Sequence, residues 1–399
     1  MQRNLFDHDH DHFREAVRTF VARAVEPNRD RWRREHGIDR ELWLEAGRQD
    51  FLGISVPAEH GGVGLDDFRY NAVLSEELAA AGLAVASSVG IHVDVVAPYL
   101  TELATAEQQA RWLPRFCTGE LTTAIAMTEP GAGSDLKALR TTARRDGGDW
   151  ILDGSKTFIT NGASADLAIV AARTGGPGEI TLFGVEADLP GYTRGQPLEK
   201  VGQHEADTAE LFFDGVRLPD AAVIGEAGRG FAAMMERLPQ ERLHTAVVNL
   251  AHAEAALARA LDHARERQAF GRAIGSFQHN RFLIAELVTE LEVTRAYVDR
   301  CVEARVAGTL SGIDAAKAKW WSAEVQNRVV DACVQLLGGY GYMDEYEVAR
   351  AWADARVTKI WAGTNEIMKE LIGRSLGFGD PAPDRPAGPA KPRQEDPRR

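Results

Sequence analysis

The chain has 399 residues, enough for two or three domains at roughly 150 residues each; 44% of them are hydrophobic and 26% charged. A formal net charge of -13 argues against a phosphate backbone as partner, because nucleic acids are held by basic surfaces. No apolar run is expected to span a membrane, no leader pattern opens the chain, and Cys117, Cys301 and Cys333 contain no Cys-x-x-Cys; these features predict a cytoplasmic protein with reduced thiols and no membrane insertion.

D-H-D-H-D-H (7–12) alternates two metal-ligating residue types, but its composition favours a solvated lead into the first helix. Residues 1–120 read as a helical domain, with breaks at E-H-G-G-V-G (59–64) and near Pro98. Those glycines follow no strand and lack the Lys of a P-loop, so they read as a turn between helices.

From 121 to 225 the texture changes to a β domain. D-W-I-L-D-G, D-L-A-I-V-A-A, E-I-T-L-F-G-V and A-E-L-F-F-D-G-V are short apolar runs cut by Gly, Asp-Gly and Pro, which predicts strands. M-T-E-P-G-A-G-S-D (127–135) opens this region. Its glycines let backbone N–H groups approach an anion, and Ser134 adds a hydroxyl donor.

Residues 226–379 predict a C-terminal four-helix bundle. Ala246, Val247, Leu250, Leu257 and Leu261 recur at helical spacing, as do Ile284, Leu287, Leu291, Val298 and Val302. Pro239 predicts a kink or restart early in the first of these helices, since Pro has no N–H and crowds the preceding turn. R-E-R-Q-A-F-G-R (265–272) sets a cation and an aromatic at a helix end, and Q-L-L-G-G-Y-G-Y-M-D-E (335–345) closes another helix on paired glycines. In K-I-W-A-G-T-N-E-I-M (359–368) Ala362 and Gly363 leave space at a turn between two helical patterns. Residues 380–399 carry six prolines among charges and read as a disordered tail. The fold class is α+β. The marks of zinc proteases (His-Glu-x-x-His) and α/β-hydrolases (Gly-x-Ser-x-Gly) are absent.

A-M-T-E-P-G-A-G-S-D-L-K-A and Q-L-L-G-G-Y-G-Y-M-D-E-Y-E-V-A-R-A-W-A-D together resemble the acyl-CoA dehydrogenase family, from about residue 6 to 378, and its long-chain type most of all. The resemblance implies a helical, β, helical order and an FAD enzyme that converts an acyl-CoA thioester to the trans-2-enoyl product. It implies that Met127, Thr128, Gly133 and Ser134 face the flavin and its pyrophosphate, Ser134 also the substrate, with Phe158 and Thr160 against the ring. Thr364 and Glu366 would hold more of the FAD. Arg267, Phe270, Gln278, Gln335 and Gly339 would serve the site of a neighbouring subunit, hence a homodimer or homotetramer. Ala269 stands where the family often has Thr, and His204 where a longer basic residue is common.

Many members of the family carry a Glu as base at the place of Ala362, and an Ala cannot accept a proton. The long-chain and isovaleryl types place the base on the helix that begins the third domain. There the match to L-P-Q-E-R-L assigns it to Glu241; Glu236 precedes the proline and lies outside the match. Arg242 points about 100° away and would orient site or ligand through a charged hydrogen bond. The backbone N–H of Ala362 would hold the thioester carbonyl as an oxyanion hole does, with Trp361 and Gly363 lining the reacting region. Desolvation there should raise the Glu241 pKa. The expected electron acceptor is an electron-transfer flavoprotein, and acyl-chain depth is expected to be set around Val93 to Tyr99. Alternatives on the same sequence are an acyl-carrier-protein thioester dehydrogenase, an oxidase, a reduced-flavin monooxygenase, or a non-catalytic FAD-stabilised binding subunit.

Overall fold

The computed structural model describes residues 3–176 and 178–378; the predicted tail lies outside them. The first region holds α1 (His8–Phe20), α2 (Arg29–Glu35), α3 (Arg40–Arg48), α4 (Phe68–Ala81), α5 (Leu83–Gly90), α6 (Ala97–Glu102) and α7 (Ala106–Cys117). The Asp-His repeat begins α1. The Asp7 side chain accepts from the Asp9 and His10 N–H groups, and the His10 ring bonds back to the Asp7 backbone, forming a capping box. His10 is therefore not solvated as expected; it is buried between Phe6 and Tyr70. No group of three or more potential metal ligands occurs among the described residues.

The expected break near Pro98 is absent. α5 and α6 are joined through a π-helical segment, Ile91–Val96, into one helix from Leu83 to Glu102. Pro98 falls in the first turn of α6, where the π turn has already shifted the hydrogen-bond register and a missing N–H costs little. An 18-residue window of this 20-residue helix, with a mean hydropathy of 1.5, also corrects the expectation that no segment is long and apolar enough to cross a membrane. It is 94% buried inside the protein, so its apolarity is accounted for by the core it fills.

The four punctuated runs all form strands. The sheet runs β6 (Tyr192–Arg194), β7 (Thr208–Pro219), β3 (Asp149–Thr160), β2 (Thr142–Asp146), β4 (Leu167–Arg173), β5 (Ile180–Glu186), β8 (Val223–Ile224), and β1 (Thr123–Ala126) pairs with β4. β3 pairs antiparallel with β7 but slips register twice, between Leu152 and Gly154 and between Lys156 and Ile159. The second slip matters for the site.

The last region holds α8 (Gly230–Glu266), then a β9–β10 hairpin (Gln268–Ala269, Arg272–Ala273), α9 (Gln278–Val306), α10 (Gly312–Leu337), α11 (Glu347–Ala355) and α12 (Asn365–Ser375). Leu243, Ala246, Val247, Leu250 and Leu257 of α8 meet Leu287, Leu291, Val298 and Val302 of α9 and Val325 and Val329 of α10 in one core. Each buried Leu or Val there stabilises by about 1.5–3 kcal/mol. Contrary to the expected restart, α8 passes through Pro239 as a single 37-residue helix. The carbonyl that loses the Pro239 donor belongs to Met235, an exposed residue, so water can take that bond. Arg29 joins the three regions through Glu205 at 3.0 Å and Glu347 at 2.8 Å.

Candidate active site

The Met127–Ser134 loop leaves β1 and is pinned to β3. Lys156 Nζ donates to the Met127 carbonyl (3.2 Å) and to Glu129 Oε1 (2.8 Å), while the Thr157 N–H donates to the Thr128 carbonyl (3.0 Å). Glu129 also accepts from the Arg140 and Thr141 N–H groups. Burial would raise this carboxyl, but Lys156 outweighs it and holds the group below the usual Glu range. Burial pushes the Lys156 ammonium down to about 8 against the pull of Glu129. The clamp leaves Gly131, Gly133 and Ser134 exposed, and a Cβ on Gly133 would meet only the Thr128 methyl, at 3.9 Å.

Phe158 sits in the second register slip of β3 with φ of 58°, in the left-handed region, which turns its ring outward to 68% exposure. Thr160 closes β3 two residues on and is half-buried. An outward aromatic beside an open glycine loop fits a flat ring with an attached pyrophosphate, so these residues suit FAD.

The second component is the corner after the α11 region. Ala362 has φ of 51° and Gly363 φ of 82°. Among the described residues the Ala362 N–H has no acceptor, and the buried Trp361 Nε1 has no partner. Thr364 caps α12 by accepting from the Ile367 N–H at 3.3 Å, and Glu366 is exposed. The space foreseen at this turn is bordered at Gly363 by the end of the Met368 side chain, 2.7 Å from where a Cβ would sit.

The third component is Glu241 on α8. It is half-buried, and no donor among the described residues reaches its carboxylate. Burial raises its pKa above the ordinary Glu value, opposed by the charges of Arg242, His244 and Lys319. Arg242 is buried with Nε unpartnered, and burial lowers its pKa. Lys319 of α10 connects this group to the corner. Its Nζ donates to the Gly363 carbonyl at 2.6 Å and lies in the fields of Arg242, Glu366 and Glu241. A carboxylate, a guanidinium, an indole N–H and a backbone N–H, all lacking protein partners, thus gather where α8 meets the turn. Such a set can take a proton from a carbon while donors hold the neighbouring oxygen.

Arg267, Phe270, Gln278, Gln335 and Gly339 form a separate group at the other end of α8. The Arg267 guanidinium lies 6.0 Å from the Tyr340 ring centre, next to Gly339. Phe270, with φ of 51°, is 95% exposed, and Gln278, Gln335 and Gly339 are exposed too. No hydrogen bond or ion pair among the described residues links this group to the Met127–Ser134 loop. Sequence reading missed Lys319, the Glu129–Lys156 clamp and the buried pair Asp94–His244. The available signal was charge inside apolar runs: Asp94 in V-D-V-V and Lys319 in A-K-W-W.

The N-terminal, middle and C-terminal domains of acyl-CoA dehydrogenases match residues 7–120, 124–216 and 228–377. The long-chain specific acyl-CoA dehydrogenase of Rattus norvegicus mitochondria is 45% identical over 379 residues, 94% of this chain and 88% of that protein. An acyl-CoA dehydrogenase from Geobacillus kaustophilus has TM-score 0.92 at 44% identity, covering 94% of this chain and 100% of that one. Butyryl-CoA dehydrogenase from Megasphaera elsdenii has TM-score 0.90 at 33% identity, covering 94% and 100%.

Proposed function

We propose that this chain, which belongs to the acyl-CoA dehydrogenase family and is thus an FAD-dependent oxidoreductase, uses Glu241 to take the α proton of an acyl-CoA thioester. The observation that carries this reading is the convergence of the unpartnered Glu241 carboxylate and the unpartnered Ala362 N–H, linked through Lys319. A carboxylate with free lone pairs and a raised pKa suits a general base near neutral pH. The Ala362 N–H would donate to the thioester carbonyl and stabilise the enolate that develops as the proton leaves. Arg242 would supply a second donor to the ligand, and Trp361 would wall off water.

Met127, Thr128, Gly133, Ser134, Phe158, Thr160, Thr364 and Glu366 would hold the FAD. Bound there, FAD supplies the two-electron acceptor for the hydride leaving the β-carbon. An electron-transfer flavoprotein is the acceptor this reading assigns for re-oxidation. The exposed Phe270, Gln278, Gln335 and Gly339, with Arg267, suit a homodimer or homotetramer in which they complete a neighbour's site. The reading predicts a yellow protein with one FAD per subunit, bleached anaerobically by an acyl-CoA. An FAD-loaded protein that no acyl-CoA bleaches would overturn it.

A further inference from the structure

His244 follows Glu241 by one turn of α8, so both side chains rise from one side of that helix. His244 Nδ1 lies 2.7 Å from Asp94 Oδ2, and Asp94 belongs to the π-helical segment on the facing helix. Asn71 Nδ2 donates to Asp94 Oδ1 at 2.8 Å, and Ser75 Oγ stands 3.1 Å from His244 Nδ1. Gln240 Nε2 donates to the Asp94 main-chain carbonyl at 2.9 Å. α4, the π segment and α8 are therefore bridged by one buried polar cluster. The imidazole edge fills the space beside Gly90, where a Cβ would lie 2.1 Å from Nε2 and 2.3 Å from Cε1. Nε2 has no protein partner among the described residues.

A base on α8 fixes the substrate's α-carbon beside Glu241. Carbons that follow along the side of α8 shared by Glu241 and His244 run toward the helix Leu83–Glu102, whose Asp94 meets His244 and whose Tyr99 hydroxyl feels the Glu241 charge. On the Gly90 side that path ends on the imidazole. An alkyl chain extended further would have to part His244 from Asp94, stranding a fully buried carboxylate that no hydrocarbon can solvate.

Resting on the acyl-CoA dehydrogenase reading, we propose that Asp94 and His244 close the acyl slot, so that the substrates are thioesters of short acyl chains. His244 stands three residues past Glu241, a rise of ~4.5 Å along α8, which leaves length for a chain of about four to six carbons. The rat relative's name says long-chain specific; the short chain proposed here departs from that name and rests on two residues brought together from different helices.

The test is single-turnover flavin reduction by saturated acyl-CoAs from butyryl to palmitoyl, in the wild type and in Asp94→Ala/His244→Ala. The double variant removes both partners and leaves no unpaired charge. Wild-type rates should fall by about tenfold or more between hexanoyl- and dodecanoyl-CoA, and the double variant should narrow that gap while still using butyryl-CoA. If the double variant does not load FAD, the wild-type profile decides alone. Palmitoyl-CoA reducing the wild-type flavin as fast as butyryl-CoA overturns the proposal; failure of every thioester instead overturns the parent reading.

Discussion

Lys319 Nζ donates to the Gly363 carbonyl at 2.6 Å, so the middle of α10 holds the corner that carries Ala362. A second bond, to Asn365 Oδ1 at 3.2 Å, fixes the start of α12. Burial, reinforced by Arg242, pushes this ammonium down to about 7. Lys319→Met removes both bonds and a cation that lowers the Glu241 pKa. Flavin reduction should slow by up to about 10²-fold, the cost of a small misplacement of reacting groups. The rise of rate with pH should also move upward, because Glu241 loses a stabilising charge. Stopped-flow reduction against pH measures both; an unchanged profile removes Lys319 from the site.

Glu241→Gln keeps the side-chain shape and deletes the basic lone pair. Flavin content and acyl-CoA binding should persist while the reduction rate drops by roughly 10²–10⁴-fold. A variant that bleaches at the wild-type rate would show that the base lies elsewhere.

The same carboxyl should mark stability. Its folded pKa is raised, so the folded state prefers it protonated. Glu241 therefore costs nothing below the ordinary Glu value near 4.5 and destabilises the fold as pH climbs through the raised value. Glu241→Gln should melt higher than wild type around pH 8 and alike around pH 4, by calorimetry. The opposite order, with the difference growing toward acid, would contradict a raised pKa.

Ala362 already carries a Cβ in the left-handed region, so a Glu there adds little backbone strain. Ala362→Glu in a Glu241→Gly background should recover part of the activity lost in Glu241→Gly alone. With Glu241 retained, the second carboxylate should raise one pKa of the pair and carry the pH optimum upward. An FAD-loaded double variant with no recovery would mean the Ala362 side of the turn does not face the substrate.

Lys156→Met strands the buried Glu129 carboxylate, a change that costs about 3–5 kcal/mol for a buried pair. The melting temperature and FAD affinity should both fall, since the clamp shapes the Met127–Ser134 loop. Adding Glu129→Gln should return part of the stability. Unaltered FAD titrations in Lys156→Met would separate the clamp from the cofactor loop.

The β region was legible because Gly, Asp-Gly and Pro mark the ends of its short apolar runs. Pro98 misled because its usual effect presumes α-helical register, and the π segment changes that register. Pro239 does not restart the helix because solvent at Met235 tolerates the lost bond. The Ala at 362 and the candidate base Glu241 were both picked out from contiguous motifs. Asp94, His244 and Lys319 were not, since their roles come from partners far away in sequence: Asn71, Ser75, Asp94 and His244 meet from three helices. Charge inside an apolar run signals that a partner exists but cannot say which.

The uninterrupted α8 also works as a ruler. Glu241 lies about a third of the way along it and Arg267 caps its C-terminal end; 26 residues at ~1.5 Å each set them about 39 Å apart along the axis. A ligand shorter than that span which touches Glu241 lies beyond reach of the same chain's Arg267. If Glu241 and Arg267 both serve FAD as proposed, one FAD draws them from two copies of α8, and a residue gained or lost between the two would put each copy's Glu241 out of step with its own arginine.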